Sequence, residues 1–205
     1  MRKILSIVIS GFCLLAGSCD NMQERPKNIH PILDSQEQDS VFNKLMQVTH
    51  NLVPAYLRND SLSFLILPLH ASCPSCRKKT IDSIVENSNR LLPQQLIVIA
   101  ARGGIKTITR YFKEQHSVIP SARTLFLDST DRSGELGLYD DKPTIYYTFN
   151  GKAYTRVAVI PATIKEDLSS FFSTSKVINK TTSSINDKLI SNEEPDNQNL
   201  RQLSR

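Results

Sequence analysis

The chain has 205 residues, the length of one domain with appendages. Its 40% hydrophobic content is enough for one core and excludes a wholly disordered chain, while four cysteines are too few for a disulfide-dense scaffold. The net charge of +5 reads as a solvated surface rather than a nucleic-acid face, because Lys and Arg are scattered among acids.

The N-terminus reads as an address. Arg2 and Lys3 precede an apolar run over residues 4–15, which is shorter than the roughly 17–25 residues of a membrane span. The small residues Ala16, Gly17 and Ser18 then lead to Cys19. This is the layout of a secretory signal peptide. The Ala-Gly-Ser-Cys stretch resembles a bacterial lipobox, although Leu15 stands one position further from the cysteine than usual. The resemblance implies that residues 1–18 are removed and that Cys19 carries a lipid. An ordinary cleaved signal and an uncleaved anchor are the alternatives. A cell-envelope location is one where disulfides persist. Residues 19–33, polar and containing Pro26 and Pro31, read as a tether. Residues 174–205, rich in Ser, Thr, Asn, Asp and Lys, read as a disordered tail. The folded unit is then 34–173.

Within it, Asp34 and Ser35 are candidate helix caps, with Glu37 and Gln38 at capping-box spacing. Val41, Phe42, Leu45, Met46, Leu52 and Val53 follow at helical intervals, and the helix should end near Pro54. Residues 62–69 (LSFLILPL) form an almost continuously apolar run of strand length. After Cys73-Pro74-Ser75-Cys76 comes a helical pattern through Ile81, Ile84, Val85, Ser88, Leu91 and Leu92. Residues 95–101 read as a second buried strand, 106–115 as a helix and 124–128 as a third strand. Residues 144–149 form a fourth, and Asn150-Gly151 turns it into a fifth over 152–160. Pro161 opens a last helix, with Thr163 and Glu166 at capping-box spacing and Ile164, Leu168, Phe171 and Phe172 inward. Strands joined through helices imply an α/β fold with a parallel portion of sheet, and the hairpin adds an antiparallel edge.

The chemistry points to Cys73 and Cys76, placed between a buried strand and a helix. A helix N-terminus offers unpaired N–H groups and partial positive charge, which stabilise a thiolate. The thiolate is the nucleophile of thiol–disulfide exchange. Cys73 is expected to attack and Cys76, one turn deeper, to resolve the mixed disulfide. Pro74 fits a first helical turn, where its missing N–H is not needed. A structural disulfide is one alternative. Half a metal site is another, disfavoured because zinc usually takes four ligands and His30, His50, His70 and His116 lack ligand spacing. His70, three residues before Cys73, either tunes the thiolate by its charge or simply faces solvent. Arg77, Lys78 and Lys79 either add positive potential or form a solvated helix face.

From LSFLILPL, CPSC and the segment Lys142-Pro143-Thr144-Ile145-Tyr146-Tyr147, the chain resembles the thioredoxin superfamily over roughly residues 40–173. The long span between Cys76 and Pro143 is similar to the TlpA/ResA-like branch of envelope thiol–disulfide oxidoreductases. The resemblance implies a thioredoxin-like central mixed sheet flanked by helices. It implies a cis peptide bond at Pro143, facing the cysteines. It also implies that Lys142, Pro143, Pro74 and Ser75 shape the edge where a partner chain docks. The chain departs from the pattern at three positions. Ser72 stands where the family has Trp, Leu67 where many members bury an acid, and Lys142 where Val, Ile or Thr is common.

The resulting expectation is a lipid-anchored protein facing the periplasm that exchanges disulfides with protein substrates. By family analogy it is a reductant, needing no cofactor and no metal and recharged by an upstream redox protein. The competing reading is a non-enzymatic interaction lipoprotein in which Cys73–Cys76 is static.

Overall fold

A computed structural model describes residues 28–173. The signal peptide, the lipidation of Cys19 and the C-terminal tail lie outside the described residues.

The sequence alternates strand and helix. The structure is accordingly α/β, with one six-stranded mixed sheet in the order β1-β6-β5-β2-β3-β4. The strands are β1 (Ile29–Pro31), β2 (Leu62–Pro68), β3 (Gln95–Ala100), β4 (Leu125–Asp128), β5 (Thr144–Phe149) and β6 (Lys152–Ala158). The helices are α1 (Ser35–Val48), α2 (Pro74–Asn87), α3 (Gly104–Glu114), α4 (Arg132–Glu135) and α5 (Ile164–Phe172). β2, β3 and β4 run parallel, joined through helices, whereas β5 lies antiparallel to β2 and to β6.

The nearly continuous apolar runs have a direct cause. β2 and β3 are buried on both faces, so both faces are almost wholly apolar, with Ser63 and Gln95 the buried polar exceptions at their N-terminal ends. One face of the sheet offers Phe64, Ile66, Leu96 and Val98 to Phe42, Leu45 and Met46 of α1. The other offers Leu65, Leu67, Ile97 and Ile99 to Ile81 and Ile84 of α2, Ile108 and Phe112 of α3, and Leu168 and Phe171 of α5.

Local signals explain the ends of several elements. The Asp34 carboxylate accepts the Glu37 N–H at 2.7 Å and caps α1. α1 stops at Val48 rather than near Pro54, because His50 and Asn51 both take positive φ. Val53 then re-enters the core while Leu52 is left exposed. Asn150 and Gly151 have φ of 49° and 73°, as a two-residue type I′ hairpin needs. α2 ends at Asn87 and leaves Leu92 exposed, contrary to the helical pattern through that residue. The Thr163 hydroxyl donates to Asp167 instead of capping α5.

The tether expected through residue 33 gives way to sheet at its end. β1 pairs antiparallel with the edge of β6, Ile29 opposite Val157 and Pro31 opposite Thr155. An edge strand tolerates Pro31 because one of its sides needs no ladder bond. Asn28 secures this strand through its side-chain amide, which reaches Ala158 O at 3.1 Å and Asp167 Oδ2 at 2.8 Å. Burial pushes the Asp167 carboxyl above its ordinary pKa, and the Thr163 and Asn28 hydrogen bonds oppose that push.

Leu65 has no solvent exposure and Leu33 is 85% exposed, so the two leucines separate core from surface. Leu65→Ala is expected to cost about 2–5 kcal/mol in urea unfolding, and Leu33→Ala less than about 0.5 kcal/mol. Equal losses at the two positions would contradict this packing.

Candidate active site

β2 leaves the sheet at Pro68, and α2 begins six residues later at Pro74. The short connection holds Cys73 at the helix cap. Pro74 occupies the first helical position, where its fixed φ favours helix initiation. Cys73 and Cys76 are joined as a disulfide, with Cα atoms 5.3 Å apart. The Cys76 N–H donates to Cys73 Sγ at 3.1 Å, so the sulfur takes the place of a capping oxygen. Ser75 Oγ lies 3.4 Å from the same sulfur. Cys73 and Cys76 differ in their surroundings. Cys73 is half-buried beside the exposed Pro74 and Ser75, whereas Cys76 is 2% exposed and packs among Leu67, Leu69 and Ile81. In the dithiol form the outer sulfur is the one a partner can approach. N–H groups of the first helical turn stand ready to stabilise its negative charge.

The connecting loop is held from two sides. From α2, Arg77 Nη1 donates to the carbonyls of Leu69 at 2.9 Å and Ser72 at 3.3 Å. Its guanidinium also lies 4.7 Å from the ring centre of Tyr111, a cation–π distance. Arg77 is therefore part of the scaffold beneath the dithiol rather than a free surface cation. Lys78 pairs with Asp82 on the next turn, at 2.9 Å. Ser72 is buried, and its hydroxyl has no hydrogen-bond partner.

From the other side, His70 Nε2 lies 3.3 Å from Asp131 Oδ2. Asp131, just before α4, is 1% exposed, and Asp128 and Asp131 are the only buried acids among the described residues. Arg102 Nε reaches the same oxygen of Asp131 at 3.0 Å, and the Tyr139 hydroxyl donates to Oδ1. Burial, followed by that bond to Asp131, raises the Tyr139 phenol well above the ordinary tyrosine range. Gly134 makes this approach possible. A Cβ there would stand 2.6 Å from the Tyr139 hydroxyl and 2.9 Å from Asp131 Oδ2. Asp128 closes the end of β4 by accepting the N–H groups of Arg132 and Ser133 at 2.8 and 2.7 Å. These groups gather at the C-terminal ends of β2, β3 and β4, where open α/β sheets place their sites.

Sequence reasoning singles out His70 but misses Asp131, Arg102 and Tyr139. Their signal is spatial, because three separate loops meet only once the parallel strands are aligned.

Pro143 requires a correction. The described residues contain no cis peptide bond, so the bond before Pro143 is trans. Pro143 is buried immediately before β5 and has no N–H to contribute to a ladder, a position a trans proline fills without strain. Its carbonyl accepts the Val159 N–H at 2.8 Å. The β2–β5 register, with Ile66 opposite Thr144, still puts Pro143 at the sheet end from which the cysteine loop departs. The Lys142 ammonium is paired with Asp141, and that hydrogen bond lowers the Asp141 pKa. The Lys142 carbonyl accepts the Thr144 hydroxyl at 3.1 Å. Leu67, in the strand that leads to the cysteine loop, is fully buried.

Among the described residues no three His, Cys, Asp or Glu side chains are grouped to hold a metal ion. No described helix is long and apolar enough to cross a membrane. No family model matches the chain, and no curated protein matches it.

Replacing Arg77 by Ala removes both carbonyl contacts of the loop. The expected loss is about 1.5–3 kcal/mol, with faster hydrogen exchange at the Ser72 amide, which donates to Pro68 O at 3.0 Å. Unchanged stability and exchange would contradict the scaffold role of Arg77.

Proposed function

We propose that the protein is a thioredoxin-like thiol–disulfide oxidoreductase, held at the bacterial envelope by a lipid on Cys19 and acting on protein substrates. The observation that carries this reading is the asymmetry of the pair. Cys73 is half-buried at the cap of α2, whereas Cys76 is sealed in the core one turn below. A sheet in which the strand before the cysteines is central and two-sided supports the thioredoxin-like assignment. The polar chain between Cys19 and β1 is in keeping with a tethered domain.

In the reductive direction the Cys73 thiolate attacks one sulfur of a substrate disulfide. A mixed disulfide forms, and the first substrate sulfur leaves as a thiolate. The Cys76 thiolate then attacks Cys73 Sγ and closes the internal disulfide, releasing the second substrate sulfur. The two protons of the enzyme dithiol end on the substrate thiols, and two electrons pass with them. A dithiol protein upstream restores the reduced pair by the same exchange in reverse. The burial of Cys76 suits this sequence, because a sealed resolving sulfur meets Cys73 and little else. On the resemblance, Lys142 and Pro143, beside the start of β5, together with Pro74 and Ser75, would shape the edge where the substrate chain lies.

Cys76→Ser removes the resolving sulfur. The variant is expected to accumulate a mixed disulfide between Cys73 and its partner, visible as a reductant-sensitive band on a non-reducing gel and absent from Cys73→Ser. If Cys73 resists alkylation after reduction and no trapped species forms, the pair is a static crosslink and the exchange reading fails.

A further inference from the structure

The loop over residues 69–72 delivers Cys73, and its restraints differ in kind. The Leu69 N–H donates to Ala100 O at 2.9 Å and the Ser72 N–H to Pro68 O at 3.0 Å. Arg77 grips the Leu69 and Ser72 carbonyls. None of these changes with pH in the ordinary range, because amides do not titrate and a guanidinium stays charged. The fourth restraint is the contact of His70 with Asp131. Histidine is the side chain whose charge ordinarily changes between about pH 5 and 8.

The contact is built rather than incidental. Asp131 is 1% exposed and holds a left-handed φ of 64°. Its Oδ1 is taken by Tyr139 and its Oδ2 is shared by Arg102 and His70. Gly134, lacking a Cβ, leaves room for Tyr139 and Asp131 to meet. The carboxylate therefore cannot turn away when His70 loses its proton. The His70 side chain is 32% exposed, so it can exchange protons with solvent.

We propose that His70 and Asp131 act as positioning residues for Cys73, a proton-linked tie that makes the outer thiol more reactive when His70 is charged. This rests on the exchange function proposed above. Cys73 follows His70 by three positions, so their Cα atoms are at most about 11 Å apart. A charged imidazole on this loop adds positive potential to that of the helix start, and its bond to Asp131 holds the loop that presents the sulfur. The charged and titratable groups around it are few. Asp131 and Arg102 meet at one oxygen, Tyr139 faces the other, Asp128 lies behind with its oxygens on Arg132 and Ser133, and Arg77 approaches from α2. Arg102 and Arg77 stay charged throughout, so protonation of His70 adds one positive charge to a fixed background. With Leu67 in the family's acid position, this pair is where the site can register pH.

The test is the alkylation rate of Cys73 in the reduced full chain between pH 5 and 10, read on the Cys73 peptide by mass spectrometry. The wild-type profile should carry a small lower step, a flattening of about threefold where the imidazole loses its charge, below the main thiol step. His70→Gln should show a single step, about threefold slower than wild type at pH 6 and equal to it at pH 9. His70→Lys, charged throughout the lower range, should restore the rate at pH 6 without restoring the lower step. Asp131→Asn keeps the imidazole but releases the loop, and should show faster hydrogen exchange at the Ser72 amide; the His70 variants keep the test valid if that variant fails to fold. A reactive Cys73 with superimposable wild-type and His70→Gln profiles overturns this inference alone. Equal slowing in His70→Gln and His70→Lys also overturns it, because the charge would then be irrelevant. A Cys73 inert at every pH overturns the exchange function and this inference with it.

Discussion

Burial of β2 on both faces is the constraint from which the site follows. The strand lies between β3 and β5, and its backbone groups are committed to two ladders. Its side chains alternate between two apolar clusters, so a shift of one residue would turn each of them onto the wrong partner. The strand cannot slide. Its C-terminal end is therefore a fixed point, and the few residues after Pro68 must turn the chain and start α2 from there. Cys73 inherits its position at the helix cap from that turn, and Cys76 inherits its burial from the face of α2 that packs against Leu67 and Leu69.

Leu69 anchors the start of this loop in the core, Ala71 packs against that core, and polar contacts hold the rest. Arg77 does this from within the same helix, with its guanidinium laid over Tyr111. Asp131 does it from the far side of the parallel sheet. A buried carboxylate without partners would be strongly destabilising, and Asp131 persists because Tyr139, Arg102 and His70 surround it. Asp128, one short loop earlier, is satisfied by backbone N–H groups and thereby fixes where Asp131 stands. The two acids thus work in sequence. The first closes β4, and the second reaches across to the residues that lead into Cys73.

How much of this was legible in the sequence depends on the range of each signal. Strands buried on both faces announce themselves, so β2 and β3 read directly from their apolar runs, and β6 follows from the hairpin signal after β5. The cap at Asp34 and the turn at Asn150-Gly151 are local chemistry and read directly from adjacent residues. The Cys73–Cys76 motif and its place at a helix start are equally local. What escaped is either too short or too distant. β1 has three residues, all exposed, and no periodicity to separate it from a tether. α4 is a single turn whose start depends on the Asp128 carboxylate rather than on an apolar face. The convergence on Asp131 joins the ends of three strands, so no window along the chain contains it. Pro143 shows the reverse hazard. Family pattern pointed to a cis bond, yet a buried trans proline meets the same need at the start of β5.

The thioredoxin-like reading requires that the Cys73–Cys76 bond be made and broken in use, and its equilibrium with a dithiol couple of known potential measures that most directly. Stabilisation of the Cys73 thiolate by the start of α2 favours the reduced state and raises the potential of the couple. Titration of the full chain in a thioredoxin or glutathione redox buffer, with the alkylated fraction of Cys73 as the readout, is predicted to give a potential above about −300 mV. A potential well below that value, with the pair still oxidised in strongly reducing buffer, would mark a structural disulfide and contradict the account.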